Sequence, residues 1–224
     1  MYSDGVAALL AAAGQGERLG RGAKAFLVLD GCTLLEHVVG VLEKHATRII
    51  AGVPEELVEQ ARHLLGERAV VLAGGRSRQE TIRKLYDHSS EPLVVTHNVT
   101  TPFASSELLS RVIGEARQSG AAVPFLHPHI PAGLPVQDKV VDYIARSDIL
   151  LPQSPQCYRR EVLERALVQA EAQGVETQAT WQLIVMAGVP VTVVEGEECN
   201  IKITTPFDWE VAQKVIWPLL KGKK

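Results

Sequence analysis

The residues in this chain best suited to chemistry lie just past its first apolar run. There Ala11-Ala12-Ala13-Gly14-Gln15-Gly16-Glu17-Arg18 is followed by Lys24. Alanine and glycine keep side chains out of the way, so backbone N–H groups can face phosphate oxygens. Arg18 and Lys24 add cations able to follow a moving phosphoryl group. Taken alone, the segment suits a triphosphate loop and an ordinary strand–turn–helix junction about equally. It is not a P-loop, because no Gly-Lys-Ser/Thr follows. It is not a dinucleotide fingerprint either, because Leu19 stands where a third Gly or Ala belongs and Asp30 comes too early for the ribose acid.

Further segments of similar character recur along the chain. Ala73-Gly74-Gly75-Arg76-Ser77-Arg78 leads toward Thr81, His97-Asn98 ends an apolar run, and Lys202 sits between Ile201 and Ile203. The elements needed to position them can be read from periodicity. Strands are expected at Val6–Ala11, Arg48–Val53, Ala69–Leu72, Pro92–Thr96, Ala121–Leu126, Leu150–Gln156 and Val189–Val194. Helices are expected from Thr33, Pro54, the segment after Gly75, Ser105 or Ser106, Arg159, Thr177 and Phe207. Such alternation gives an α/β fold with a doubly wound, mostly parallel sheet, in which ligands bind beyond the carboxyl ends of the strands. The glycine turns, His97-Asn98 and Lys202 all fall at such ends. Residues 127–148 break the alternation: His127 to Pro135 is too proline-rich for a core element, and Val136 to Ile144 has strand-like alternation. This stretch reads as a small protruding arm within a single domain spanning 1–224.

The bulk properties narrow the function. A chain of 224 residues can bury a substantial core. A net charge of −3 with mixed signs argues against nucleic acid as a partner. Three separated cysteines suggest reduced thiols, not a disulfide framework or zinc site. No apolar run is long enough to span a membrane and no basic leader is evident, so a cytoplasmic protein is expected.

Assembled in order, these segments resemble the 2-C-methyl-D-erythritol 4-phosphate cytidylyltransferase family, within the sugar-phosphate nucleotidyltransferases. The resemblance rests on Ala11-Ala12-Ala13-Gly14-x-Gly16-x-Arg18 with Lys24, on Gly74-Gly75-x-x-Arg78-x-x-Thr81, and on His97-Asn98-x-x-Thr101-Pro102-Phe103. It continues through Gly120 to Pro124, Ser154-Pro155-Gln156, Val194-Glu195-Gly196 and Asn200 to Thr204. It implies a Rossmann-like nucleotidyltransferase fold and transfer of CMP from CTP to a polyol or sugar phosphate with Mg²⁺. Arg18, Lys24 and Lys202 would be the catalytic cations. Ala12, Ala13, Gly14, Gly16, Gly74, Gly75, Arg78, Thr81 and Asn98 would bind CTP. Thr101, Arg146 and Thr204 would serve the acceptor, and the 127–148 arm would form a homodimer. The metal ligands are left open.

The departures from the family pattern cluster on one side. His-Asp-x-x-Arg-Pro becomes His97-Asn98-Val99-Thr100-Thr101-Pro102, so a carboxylate and an arginine are replaced. An arm threonine position falls in His127-Pro128-His129-Ile130, and a carboxylate-bearing segment becomes Gln178-Ala179-Thr180-Trp181. Two readings follow: an enzyme with a different acceptor, or a catalytically impaired paralogue that binds a nucleotide or a protein. Other readings are less supported. His127 and His129 lack a third metal ligand, Trp181 and Trp209 fit core positions, and Ser154 has no triad partners.

Overall fold

The computed structural model describes residues 5–14, 20 and 22–222. Arg18 and Gly16 lie outside them. Strand β1 (Val6–Ala11) is central. Val6, Ala8, Leu10 and Ala12 join a core on one face, and Ala7 and Leu9 join a core on the other. Burial on both faces explains why the strand is a continuous apolar run. A short hairpin follows, with β2 (Val28–Leu29) and β3 (Cys32–Thr33) turning at Asp30-Gly31, where both φ angles are positive. Helix α1 (Leu34–Leu42) opens with a capping box: Glu36 N donates to Thr33 Oγ1 and Thr33 N donates to Glu36 Oε2.

The chain continues through β4 (Arg48–Val53), α2 (Val58–Leu65), β5 (Val70–Ala73), α3 (Arg78–Asp87), β6 (Leu93–Asn98), α4 (Ser106–Ser119) and β7 (Ala121–Leu126). β5, β4, β1 and β6 are adjacent and parallel. α1, α4 and the C-terminal helices pack on one face of the sheet; α3, α5 (Arg160–Gln173) and α6 (Thr180–Met186) pack on the other.

The sheet departs from sequence expectation after β7. The arm is a hairpin of β8 (Ala132–Val136) and β9 (Lys139–Ile144), turning at Gln137 with φ 55°. Its residues are exposed on both faces and it pairs only with itself. The chain then returns as β10 (Leu151–Pro152) and β11 (Gln156–Arg159). β11 runs antiparallel between β6 and β7. Cys157 and Tyr158 are fully buried there, and the strand extends beyond the expected Gln156 because this interior slot demands apolar bulk. α6 begins at Thr180, three residues later than expected. β12 (Thr192–Glu195) pairs in parallel with β7. The C-terminal helix comprises α7 (Pro206–Val211), a π turn at Ala212–Ile216 and α8 (Trp217–Lys221). Among the described residues no helix is long and apolar enough to cross a membrane.

Candidate active site

The carboxyl ends of β1, β5 and β6 open onto a cavity of about 700 Å³. It is lined by Ala11, Ala13, Gly14, Lys24, Gly75, Arg76, Ser77, Arg78, Thr81, Asn98, Val99, Thr100 and Lys202. The first turn, the second glycine turn, the end of β6 and the 200–204 segment thus meet at one place. Ala12, Gly74, Thr101, Arg146 and Thr204 are not in this lining, and sequence reasoning missed Arg76, Ser77 and Thr100.

The second glycine turn is shaped by its own contacts. Gly74 N donates to Val53 O at 2.7 Å. A Cβ on Gly74 would lie 2.4 Å from Ala13 Cβ, so the two turns touch through a missing side chain. Gly75 N donates to Thr81 Oγ1 at 2.9 Å, and that hydroxyl donates onward to Ser77 O at 2.8 Å. Ser77 caps α3, with Glu80 N donating to its Oγ. Thr81 is therefore a strut for the turn, with its hydroxyl committed inside the protein.

Arg78, the first residue of α3, reaches two other elements. Its Nε donates to Asn98 Oδ1 at 2.9 Å and its Nη1 donates to Thr180 Oγ1 at 2.8 Å. Both partners are neutral. Burial pulls the Arg78 pKa below its ordinary value. Thr180 is a site-supporting residue that the sequence reading missed; its place at the start of a helix was the available signal. Neighbouring Gln178 is exposed, as is Ile130.

Beneath Asn98 lies a buried polar floor. His97 Nδ1 is 2.9 Å from Ser154 Oγ, which is 2.7 Å from Thr101 Oγ1, and Thr101 Oγ1 donates to Asn98 O at 2.9 Å. Each hydroxyl has one proton, so the chain runs one way: His97 Nδ1–H to Ser154, Ser154 to Thr101, Thr101 to the carbonyl. This requires a proton on Nδ1. Burial, helped by the charge of Arg78, lowers the His97 pKa to about 3. Thr101, expected to contact an acceptor, is instead buried in this chain because its hydroxyl completes it.

The floor also holds the last segment of the site. Asn200 Nδ2 donates to Ser154 O at 2.7 Å, and Gln153 Nε2 donates to the carbonyls of Glu197 and Asn200. Ile203 N donates to Thr100 O at 2.8 Å. Lys24, only 9% exposed, donates from Nζ to the carbonyls of Ile203 and Thr204 at 3.3 and 3.4 Å. These contacts seat an irregular segment. Ile203 turns inward and Lys202 turns outward to the cavity. Thr204 spends its N–H on Asp208 and its hydroxyl on Lys202 O.

The described lining residues offer magnesium no carboxylate, and the Asn98 amide oxygen is engaged by Arg78. No group of three or more His, Cys, Asp or Glu able to hold a metal occurs among the described residues. The described lining residues by themselves therefore supply no anionic ligand to a hard divalent cation.

The sequence and fold agree with one family. The family model for IspD, 2-C-methyl-D-erythritol 4-phosphate cytidylyltransferase, matches residues 6–217. A protein of that name from Thermus thermophilus is 37% identical over 214 residues, covering 95% of this chain and 98% of the relative. One from Rhodococcus opacus is 37% identical over 224 residues, covering 94% and 95%. The crystal structure of the 2-C-methyl-D-erythritol 4-phosphate cytidylyltransferase from Thermus thermophilus superposes with a TM-score of 0.82 at 34% identity, covering 97% of this chain and all of the other. A structure from Anaerococcus prevotii shares the fold with a TM-score of 0.85 at 22% identity, covering 95% and 96%. With its nucleotidyltransferase fold and its glycine turns and lysines gathered on one cavity, this chain belongs to the 2-C-methyl-D-erythritol 4-phosphate cytidylyltransferase family.

Proposed function

We propose that the protein transfers the cytidylyl group of CTP to the phosphate of 2-C-methyl-D-erythritol 4-phosphate, a step in isoprenoid precursor synthesis. The observation that carries this reading is the meeting of Lys24, Arg78 and Lys202, from three distant segments, on one cavity at the strand ends. An acceptor phosphate oxygen forms a bond to the α-phosphorus. The bond from that phosphorus to the bridging oxygen breaks, and its electron pair leaves with pyrophosphate. The nucleophile is already ionised at neutral pH, so the protein needs to supply positioning and positive charge, not a strong base. Lys202 and Lys24 would stabilise charge on the α-phosphate and leaving group, joined by Arg18. Ala13, Gly14 and Gly75 would admit the nucleotide close to the backbone.

The arm would pair with its counterpart in a second copy. Its exposed apolar residues support this, among them Val140 at 73% and Tyr143 at 70% exposure. Arg146, exposed just after β9 and outside the cavity lining, would then serve the acceptor site of the partner. Three free thiols suit a cytoplasmic setting. Neither the cavity nor the relatives offer an observation in favour of catalytic loss. Incubation with CTP, Mg²⁺ and 2-C-methyl-D-erythritol 4-phosphate is expected to release pyrophosphate and yield the cytidyl diphosphate ester. No release with this acceptor, while another polyol phosphate reacts, would overturn the acceptor assignment.

A further inference from the structure

Lys202 enters the cavity from a segment with no regular structure, so contacts with other elements must fix its place. Downstream of it, Ile203 N donates to Thr100 O. Upstream, the turn at residues 197–200 is closed by Asn200 N donating to Glu197 O at 3.0 Å. Gln153, the first residue after β10, adds three bonds to that turn. Its Oε1 accepts from Glu197 N at 2.9 Å, and its Nε2 donates to Glu197 O at 2.8 Å and to Asn200 O at 3.2 Å. One planar amide thus pairs with both the N–H and the C=O of Glu197, as a neighbouring strand would. Glutamate has the length but no donor, and asparagine has the donor but is one methylene short.

The neighbours are shaped around this amide. Gly196 N donates to Phe125 O at 2.9 Å. A Cβ on Gly196 would lie 2.5 Å from Gln153 Oε1 and 3.0 Å from Phe125 O. The φ of Gly196 is not positive, so its glycine serves the close approach of the amide and not an unusual backbone. On the far side, the Glu197 carboxylate accepts from the N and Oγ of Ser105 at the start of α4. We infer that Gln153 is a positioning residue of the transfer reaction, fixing the 197–200 turn and through it the point from which Lys202 meets the reacting phosphates. Gln153 is not in the described cavity lining, so it acts through Lys202 and not on substrate. The inference rests on the cytidylyltransferase reading, in which the Lys202 charge must sit where charge develops on the α-phosphate.

The test measures pyrophosphate release from CTP and 2-C-methyl-D-erythritol 4-phosphate in Mg²⁺ by the full chain. Its variants are Gln153→Met, Gly196→Ala, Lys202→Met, and each of the first two combined with the third. Thermal midpoints establish that each is folded at the assay temperature. Gln153→Met keeps the length of the side chain and removes its three bonds. Gly196→Ala crowds the same amide from the other side. Each is expected to lower kcat about 10- to 100-fold, the effect of misplacing a group by about 1 Å, with KM for CTP within about threefold of wild type. Once Lys202 is methionine, adding either substitution should cost less than about threefold more. Losses that multiply in full in the double variants overturn the inference, because Gln153 then acts otherwise than through Lys202. A lowered thermal midpoint with kcat unchanged overturns it too, because Gln153 then serves stability alone. Should Gln153→Met not stay folded, Gly196→Ala with and without Lys202→Met decides the question in the same terms. A wild type that releases no pyrophosphate from CTP with any polyol phosphate overturns the cytidylyltransferase reading and this inference with it.

Discussion

The Nε of Arg78 donates to Oδ1 of Asn98 at 2.9 Å, joining the first turn of α3 to the last residue of β6. Because Nη1 of the same guanidinium holds Thr180, one side chain pins three elements around the cavity. Arg78→Lys keeps the charge but lacks the planar fork that reaches two acceptors. A hydrogen bond to a charged group contributes about 1.5–3 kcal/mol, so kcat/KM should fall about 10- to 100-fold. Steady-state kinetics with varied CTP will show this, and an unchanged kcat/KM would remove Arg78 from the site.

Gly74 and Ala13 make a second close pairing. Gly74→Ala places its Cβ 2.4 Å from that of Ala13, so one turn must shift. Overpacking of this kind costs about 1–3 kcal/mol. Denaturant unfolding should show that loss together with a raised KM for CTP. The double variant Gly74→Ala with Ala13→Gly should recover much of both. No recovery would mean that the backbone of residue 74, not its lack of a side chain, is what matters.

The buried His97 predicts how stability depends on pH. Its folded pKa is lowered to about 3, by burial first and by Arg78 second. Below the unfolded value of about 6.5 the unfolded chain takes up a proton that the native state refuses, so stability falls as pH falls. The window runs from about pH 6.5 to about pH 3, and the contribution of this one group is about 1.4 kcal/mol per pH unit. Urea unfolding of wild type and His97→Asn between pH 7 and pH 4.5 should show the shallower slope in the variant. Parallel slopes would rule His97 out.

Lys24 and Lys202 separate by role. Lys24→Met removes the donor to the Ile203 and Thr204 carbonyls but keeps much of the buried stem. Amide exchange at residues 201–205 should quicken, and kcat should fall. Lys202→Met should lower kcat with exchange unaltered. Quickened exchange in both variants would deny Lys24 its particular anchoring part.

The proposed arm-to-arm dimer is checked by sedimentation velocity. Val141 and Tyr143 alternate onto one face of β9 and are well exposed. Val141→Glu with Tyr143→Ser should convert a dimer to a monomer and, through Arg146, reduce activity. A wild type that sediments as a monomer at micromolar concentration would end the proposal.

Much of this was legible in the sequence, for identifiable reasons. Strand β1 betrays itself because burial on both faces leaves no polar position, and the caps at Thr33 and Ser105 have local signatures. Ala13, Gly14, Lys24, Gly75, Arg78, Thr81, Asn98 and Lys202 could be gathered because strand ends converge in such a sheet. The antiparallel direction of β11 and its place between β6 and β7 were not legible, because insertion between two strands is a long-range fact with no local mark. Thr101 was misplaced for a related reason: a threonine hydroxyl is as apt to complete a buried chain as to meet a ligand, and only Ser154, 53 positions away, decides it. Thr180 was overlooked because its partner lies 102 positions earlier.

The bond from Lys24 to the carbonyls of Ile203 and Thr204 spans about four-fifths of the chain. A polypeptide emerging from the ribosome exposes the glycine turns early but cannot seat Lys24 or present Lys202 until its last fifth has been made. A nascent or prematurely terminated product would therefore lack the finished cavity. Nucleotide capture in this protein is in that sense a report that synthesis has run nearly to completion.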